Sequence, residues 1–139
     1  MISTKGRYAL RVMADLAQQQ PGKNTSLRDV AERQQISVKY LEAVTALLVR
    51  AGLVVSKMGK NGGYRLARDP GDYTIKEIIL AAEGTLVPVS CLECGESECP
   101  RAGDCLTLPL WKELDALISG YLERLTLLDL LEGKVKSSK

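Results

Sequence analysis

Ser26, Ser37 and Gly52 punctuate the middle of the chain so closely that it has room only for two short helices joined by a tight turn. Ser26 stands where an N-cap belongs, with Asp29 three residues on, so a helix opens there as a short-side-chain form of the capping box. That helix gives out around Gln34-Gln35-Ile36. Ser37 then caps a second helix, whose buried row is Leu41, Val44, Leu48 and Val49, and Gly52 supplies its left-handed stop. Two capped helices across so short a turn form a helix-turn-helix.

The next residues decide the variant. Leu53–Lys57 is a β-branched run, 59–63 reads Gly-Lys-Asn-Gly-Gly, and Tyr64–Arg68 is a second run. This is a hairpin wing in which Asn-Gly-Gly tolerates positive φ, with Lys57, Lys60, Arg65 and Arg68 on or beside the projection. Before the pair, apolar residues from about Thr4 to Gln19 recur at helical spacing (Tyr8, Val12, Leu16; Ala9, Met13, Ala17), and Pro21-Gly22 ends that helix. After the wing, Thr74 caps a helix with Glu77 three residues on, running to Gly84. From Leu108 or Pro109 a longer helix carries Leu110, Trp111, Leu114, Leu117, Ile118, Tyr121, Leu122 and Leu125, and Thr126 with Asp129 opens a last turn. The expected architecture is mainly α: a winged helix-turn-helix domain over 1–84, a cysteine-rich loop over 85–107, and a long helix with a tail over 108–139. A winged helix has its own core, so the long stripe is expected to bury against a second copy rather than within its own domain.

Charge divides the same way. Up to Pro70 there are 12 Lys and Arg against 5 Asp and Glu; beyond it, 7 against 12. A basic first half suits a polyanion, because affinity for duplex DNA comes largely from displacing counterions, although a solvated helix surface explains the charge equally well. In a helix-turn-helix the second helix enters the major groove. Ser37, Val38, Lys39, Tyr40 and Glu42 are therefore expected nearest base edges and phosphates, with Lys39 and Tyr40 on phosphates and Glu42 able to accept from a cytosine amino group. Core packing is the competing role for Tyr40, and a solvated face for Glu42. Arg28 is expected to clamp the backbone. In the wing, Lys57, Lys60, Asn61 and Gly62 are expected at the minor groove, whose negative potential attracts basic side chains.

All four cysteines fall in one window, spaced Cys91-x2-Cys94-x4-Cys99-x5-Cys105, with Pro88, Pro100 and Gly103 to bend it. In a reducing compartment clustered thiols are more often metal ligands or redox sensors than structural bridges. Tetrahedral zinc sites more often show two separated Cys-x2-Cys pairs; here there is one pair and two singles, which favours an iron-sulfur site and leaves zinc or a redox disulfide as alternatives. The chain has no histidine. That excludes a Ser-His-Asp triad and histidine-based zinc hydrolysis, and no phosphate-binding glycine motif occurs, so neither an enzyme nor a small-molecule substrate is expected. No stretch approaches the run of roughly 18 apolar residues that a membrane span needs, and a cytoplasmic protein is expected. An iron-sulfur carrier, or a zinc- or thiol-based redox-responsive protein, remains the rival reading.

With these elements in this order, the chain resembles the iron-sulfur cluster regulators of the IscR, NsrR and CymR type along nearly its full length. The residues that carry the likeness are Ile2-Ser3-Thr4-Lys5-Gly6-Arg7-Tyr8-Ala9-Leu10, Ser37-Val38-Lys39-Tyr40-Leu41-Glu42, Ala51-Gly52-Leu53-Val54, Gly62-Gly63-Tyr64-Arg65-Leu66, and Cys105-Leu106-Thr107 leading into Leu110-Trp111. The resemblance implies a homodimer on a palindromic DNA site, its long helices crossing at the dimer axis, and a cluster, 2Fe-2S ahead of 4Fe-4S, that tunes DNA affinity. IscR-like members use three cysteines and a histidine; the histidine's position is Leu108 here, and Glu93 stands where the first cysteine is expected. Cys91-x7-Cys99-x5-Cys105 is similar to the spacing in Gram-positive relatives. Cys94 then comes first as fourth ligand, with a carboxylate or a residue of the partner's first helix as alternatives. The CymR type, which lacks a cluster and answers to a protein partner, fits four cysteines less well.

Overall fold

The computed structural model describes residues 2–89, 92 and 103–135. It is mainly helical, with one antiparallel hairpin. In chain order come α1 (Thr4–Ala17), α2 (Leu27–Gln34), α3 (Val38–Arg50), β1 (Val54–Lys57), β2 (Gly63–Leu66), a single 3₁₀ turn at Pro70–Asp72, α4 (Ile75–Glu83), α5 (Leu108–Arg124) and α6 (Leu127–Leu131). Five hydroxyl caps open helices as local rules require: the N–H groups of Lys5, Asp29, Tyr40, Glu77 and Asp129 donate to Ser3, Ser26, Ser37, Thr74 and Thr126. Each contributes about 1 kcal/mol by satisfying a donor the helix cannot. The full reciprocal box is made at Thr126, whose own N–H donates to Asp129. Among the described residues no helix is long and apolar enough to cross a membrane.

One core joins these elements. Ala9, Val12, Met13 and Leu16 of α1 meet Val30 of α2, Leu41, Val44 and Leu48 of α3, Leu53 and Val54 at β1, and Ile78 and Ala82 of α4. Tyr73 is buried among them and its hydroxyl is fully used: it donates to Leu53 O at 2.7 Å and accepts from Arg68 N–H at 2.8 Å. Burial pushes the phenol above its ordinary pKa, against the pull of these backbone hydrogen bonds, so it stays protonated and able to donate. Arg68, expected beside the wing's projection, works at its base instead. Its guanidinium stacks 4.5 Å from the Tyr73 ring centre and pairs with Glu77 at 2.6 Å.

The chain beyond α5 comes back to this core. Ile75 N–H donates to Leu125 O, Leu127 N–H to Tyr73 O, and Thr74 bridges Thr126. Leu127 is fully buried beside α1, and burial of such a side chain contributes about 2–3 kcal/mol. The apolar stripe of α5 is divided by this return. Leu122 and Leu125 pack on Ile75, Ile79 and Leu86, whereas Leu110, Leu117 and Tyr121 stay 57%, 64% and 46% exposed.

α4 and α1 are locked where the cysteine loop departs. Glu83, the last residue of α4, accepts from Ser3 N–H, from Ser3 Oγ at 2.8 Å and from Gly6 N–H at 3.1 Å, capping the start of α1 from across the chain. A Cβ on Gly6 would come within 2.8 Å of the Glu83 carboxylate, so a larger residue there would push that carboxylate aside. Burial pushes the Glu83 carboxyl up, but the hydrogen bonds from Ser3 and Gly6 outweigh it and hold its pKa below the usual value. A lowered folded pKa stabilises the protein above the unfolded value and the gain disappears as pH falls through the folded one. Glu83→Gln is therefore expected to cost roughly 1 kcal/mol at neutral pH, with the gap between variant and parent closing on acidification below about pH 4. Urea titrations at several pH values measure it.

Candidate functional site

The first turn of α3 is presented by the turn before it. Gln35 takes the left-handed conformation (φ 55°), Ile36 plugs the core, and Ser37 in extended geometry starts the helix. Leu41, Val44, Thr45 and Leu48 face inward, which leaves Ser37, Val38, Lys39 and Glu42 exposed on the outer side. Tyr40 differs from them. Its half-buried ring packs edge-on against Tyr8 of α1, 5.1 Å between centroids at 81°, and Arg11 lies 5.5 Å over Tyr8. The ring thus packs α3 on α1. Arg28, second residue of α2, is exposed.

The hairpin pairs Val54 with Leu66 through Lys57 with Gly63, and Thr25 joins as a single-residue third strand through two 2.8 Å hydrogen bonds with Tyr64. A Cβ on Gly63 would sit 2.6 Å from Thr25 O, and the residue's φ of +138° also demands glycine. Positive φ occurs at Gly59, Asn61 and Gly63, so the expectation for Asn-Gly-Gly holds at two of its three residues. Gly62 is needed for space instead: a Cβ there would overlap the Lys57 and Gly59 carbonyl oxygens. The tip is tied down by Gly62 N–H to Gly59 O and by Asn24 Nδ2 to Asn61 O, at 3.0 and 3.1 Å. Lys57, Met58, Lys60 and Asn61 all project into solvent from it.

Behind these surfaces lies a polar brace that local sequence rules did not find. The Asp15 side chain, 2% exposed, accepts from Arg33 Nε and Nη2 at 3.0 and 2.7 Å and from Gln34 Nε2 at 2.9 Å. Arg11 donates to the side chain and the carbonyl of Gln34. The hydrogen bonds to Asp15 raise the Arg33 pKa further, and the pair holds α2 against α1. An acid on the apolar face of α1, beside Val12 and Leu16, was the one available signal.

Of the four cysteines, Cys91, Cys94 and Cys99 lie outside the described residues. Cys105 is half-buried just ahead of α5, its Sγ 3.2 Å from Thr107 Oγ1. Leu108, at the position where the resemblance expects a histidine, is buried in the first turn of α5. With no histidine in the chain, the candidate ligands of this segment are its cysteines and carboxylates, and thiolates suit iron-sulfur chemistry.

A family model described as an iron-dependent transcriptional regulator, Rrf2, matches residues 2–133. The chain is 38% identical over 130 residues, 94% of its own length and 74% of the relative's, to the HTH-type transcriptional regulator IscR of Photobacterium profundum. In structure it is similar to CymR, the global cysteine regulator of B. subtilis, with a TM-score of 0.77 at 36% identity, covering 96% of this chain and 97% of that one. It is likewise similar to the IscR of T. potens, with a TM-score of 0.77 at 35% identity, covering 100% and 93%. With its helix-turn-helix, its hairpin and these relatives aligned over nearly all of its length, the chain belongs to the Rrf2 family of iron-dependent transcriptional regulators.

Proposed function

We propose that the protein is a homodimeric DNA-binding regulator whose affinity for a palindromic operator is set by an iron-sulfur cluster, 2Fe-2S ahead of 4Fe-4S, held by Cys91, Cys94, Cys99 and Cys105. The observation that carries the DNA part is the exposed Ser37-Val38-Lys39 and Glu42 surface at the start of α3, together with a hairpin tethered at its tip and along β2 that projects Lys57, Lys60 and Asn61. Lys39, Lys57, Lys60 and Arg28 contact phosphates; Ser37, Val38 and Glu42 meet base edges in the major groove; the hairpin follows the minor groove, where Gly62 allows close approach. Tyr40 contributes by holding α3 at its angle. The working units are the head over 1–84, the loop over 85–107 and the dimer helix over 108–139. In the dimer, the exposed row Leu110, Leu117 and Tyr121 of α5 meets its counterpart.

When bound, the cluster supplies redox-sensitive thiolate coordination that draws the loop's sulfurs to one centre. The loop runs from Gly84, next to the Glu83 clamp on α1, to Leu108 at the head of α5. A loop held there would bias how α5 is set against α4, and affinity would change only as far as the favoured arrangement fits DNA better than the other. Protein prepared without oxygen is expected to show visible absorption and to contain iron with acid-labile sulfide, both lost in Cys105→Ser. Stoichiometric zinc without sulfide would replace the cluster by a structural metal.

A further inference from the structure

We propose that Met58 is a wedge: the hairpin carries it into the minor groove, where it enters a base step, kinks the duplex and selects flexible steps at a position no hydrogen bond reads. The proposal rests on the DNA-binding reading of the hairpin and adds a specificity-determining residue to it. Met58 is 92% exposed. The other large apolar side chains more than half exposed among the described residues, Leu106, Leu110 and Leu117, all belong to the segment from the end of the cysteine loop through α5. Met58 therefore sits apart from the proposed dimer face.

A single exposed apolar residue is ordinary on a protein surface, so its setting must carry the case. Met58 directly follows β1, between Lys57 and Lys60, with Gly59 beside it at φ +89°. The tip that bears it is held by the Asn24 to Asn61 and Gly62 to Gly59 hydrogen bonds, and the strand that leaves the tip is held by the Thr25 to Tyr64 pair. A braced tip can push on a base stack; a loose one would give way. The flanking ammonium groups match phosphates on either side of a groove, while the glycines keep the tip slim enough for a groove roughly 6 Å wide. An unbranched thioether is among the side chains that partly unstack a step, bending DNA away from the groove it enters by about 20–90°. Pyrimidine–purine steps give way most readily, so the wedge confers a preference for them.

The test uses the full chain, prepared without oxygen, to enrich binders from a randomised 40-base-pair duplex pool. The most enriched duplex, labelled at both ends for energy transfer, is then titrated with wild type, Met58→Ala, Met58→Leu and Met58→Lys. Wild type and Met58→Leu are expected to bend the duplex and to lose about tenfold in affinity when the step under the tip becomes part of an A-tract. Met58→Ala is expected to leave it nearly straight and to bind both duplexes equally. Met58→Lys is expected to bind with a salt slope steeper by about one for each phosphate its new ammonium neutralises, without the bend. Equal bending and equal step preference in Met58→Ala would overturn the wedge while leaving DNA binding in place. Failure of wild type to enrich any duplex would overturn the DNA-binding reading itself.

Discussion

Arg33→Ala is expected to destabilise the protein by about 3 kcal/mol, the largest loss we anticipate for any solvent-reachable side chain. The Arg33 guanidinium is part-exposed, but the Asp15 carboxylate it serves is not, and truncation removes two of that carboxylate's three hydrogen bonds together with its counter-charge. A buried carboxylate left with one amide donor bears most of the desolvation penalty uncompensated. Arg33→Lys restores charge but not the two-pronged geometry, and should recover less than half the loss. The double variant Asp15→Ala, Arg33→Ala should cost less than the sum of the single changes, because it removes the orphaned charge as well as its partner. Denaturant unfolding of the wild type, Arg33→Ala, Arg33→Lys, Asp15→Ala and the double variant measures this; an Arg33→Ala loss under about 1 kcal/mol would show that the brace carries little.

Loss of Lys39 and Lys60 together is expected to produce the largest change in DNA affinity. Both are exposed, one on the first turn of α3 and the other at the hairpin tip. Each phosphate left without its lysine lowers the slope of log affinity against log salt by roughly 0.9, so a two-fold dimer with four such phosphates loses about 3.6 from the slope and about four thousandfold in affinity near 0.1 M salt. The loss should be nearly independent of duplex sequence, since phosphates carry no base identity. Far-ultraviolet circular dichroism should not change. An unaltered slope would take these lysines out of the interface and favour the carrier reading, in which the cysteine loop works without DNA.

The elements were legible because their causes are local. Ser26, Ser37, Thr74 and Thr126 cap within three residues, Gly52 and Gly84 end helices by left-handed backbone, and the runs on either side of 59–63 pair as read. The braces were not legible because their partners are far apart in the chain. Asp15 meets Arg33 across eighteen residues and Glu83 meets Ser3 across eighty, and no spacing rule encodes which distant charge a buried one will find. Arg68 shows the same limit: a base in a wing sequence is indistinguishable from one that must hold Tyr73. Periodicity marked the α5 stripe as one apolar face, but the return of the chain at Thr126 splits it between the core side of Leu122 and Leu125 and the exposed row of Leu110, Leu117 and Tyr121. For Tyr40, both roles were open from sequence, and its ring packs edge-on against Tyr8 of α1, a contact no local spacing rule encodes.

The most direct measurement is operator affinity at one fixed salt concentration, for the same preparation with its cluster intact and after its removal by chelation without oxygen. Coupling between two sites in one protein is typically worth about 5–150-fold, and a difference of at least about tenfold is expected here. Equal affinities in the two states would contradict control of DNA binding by the cysteine loop.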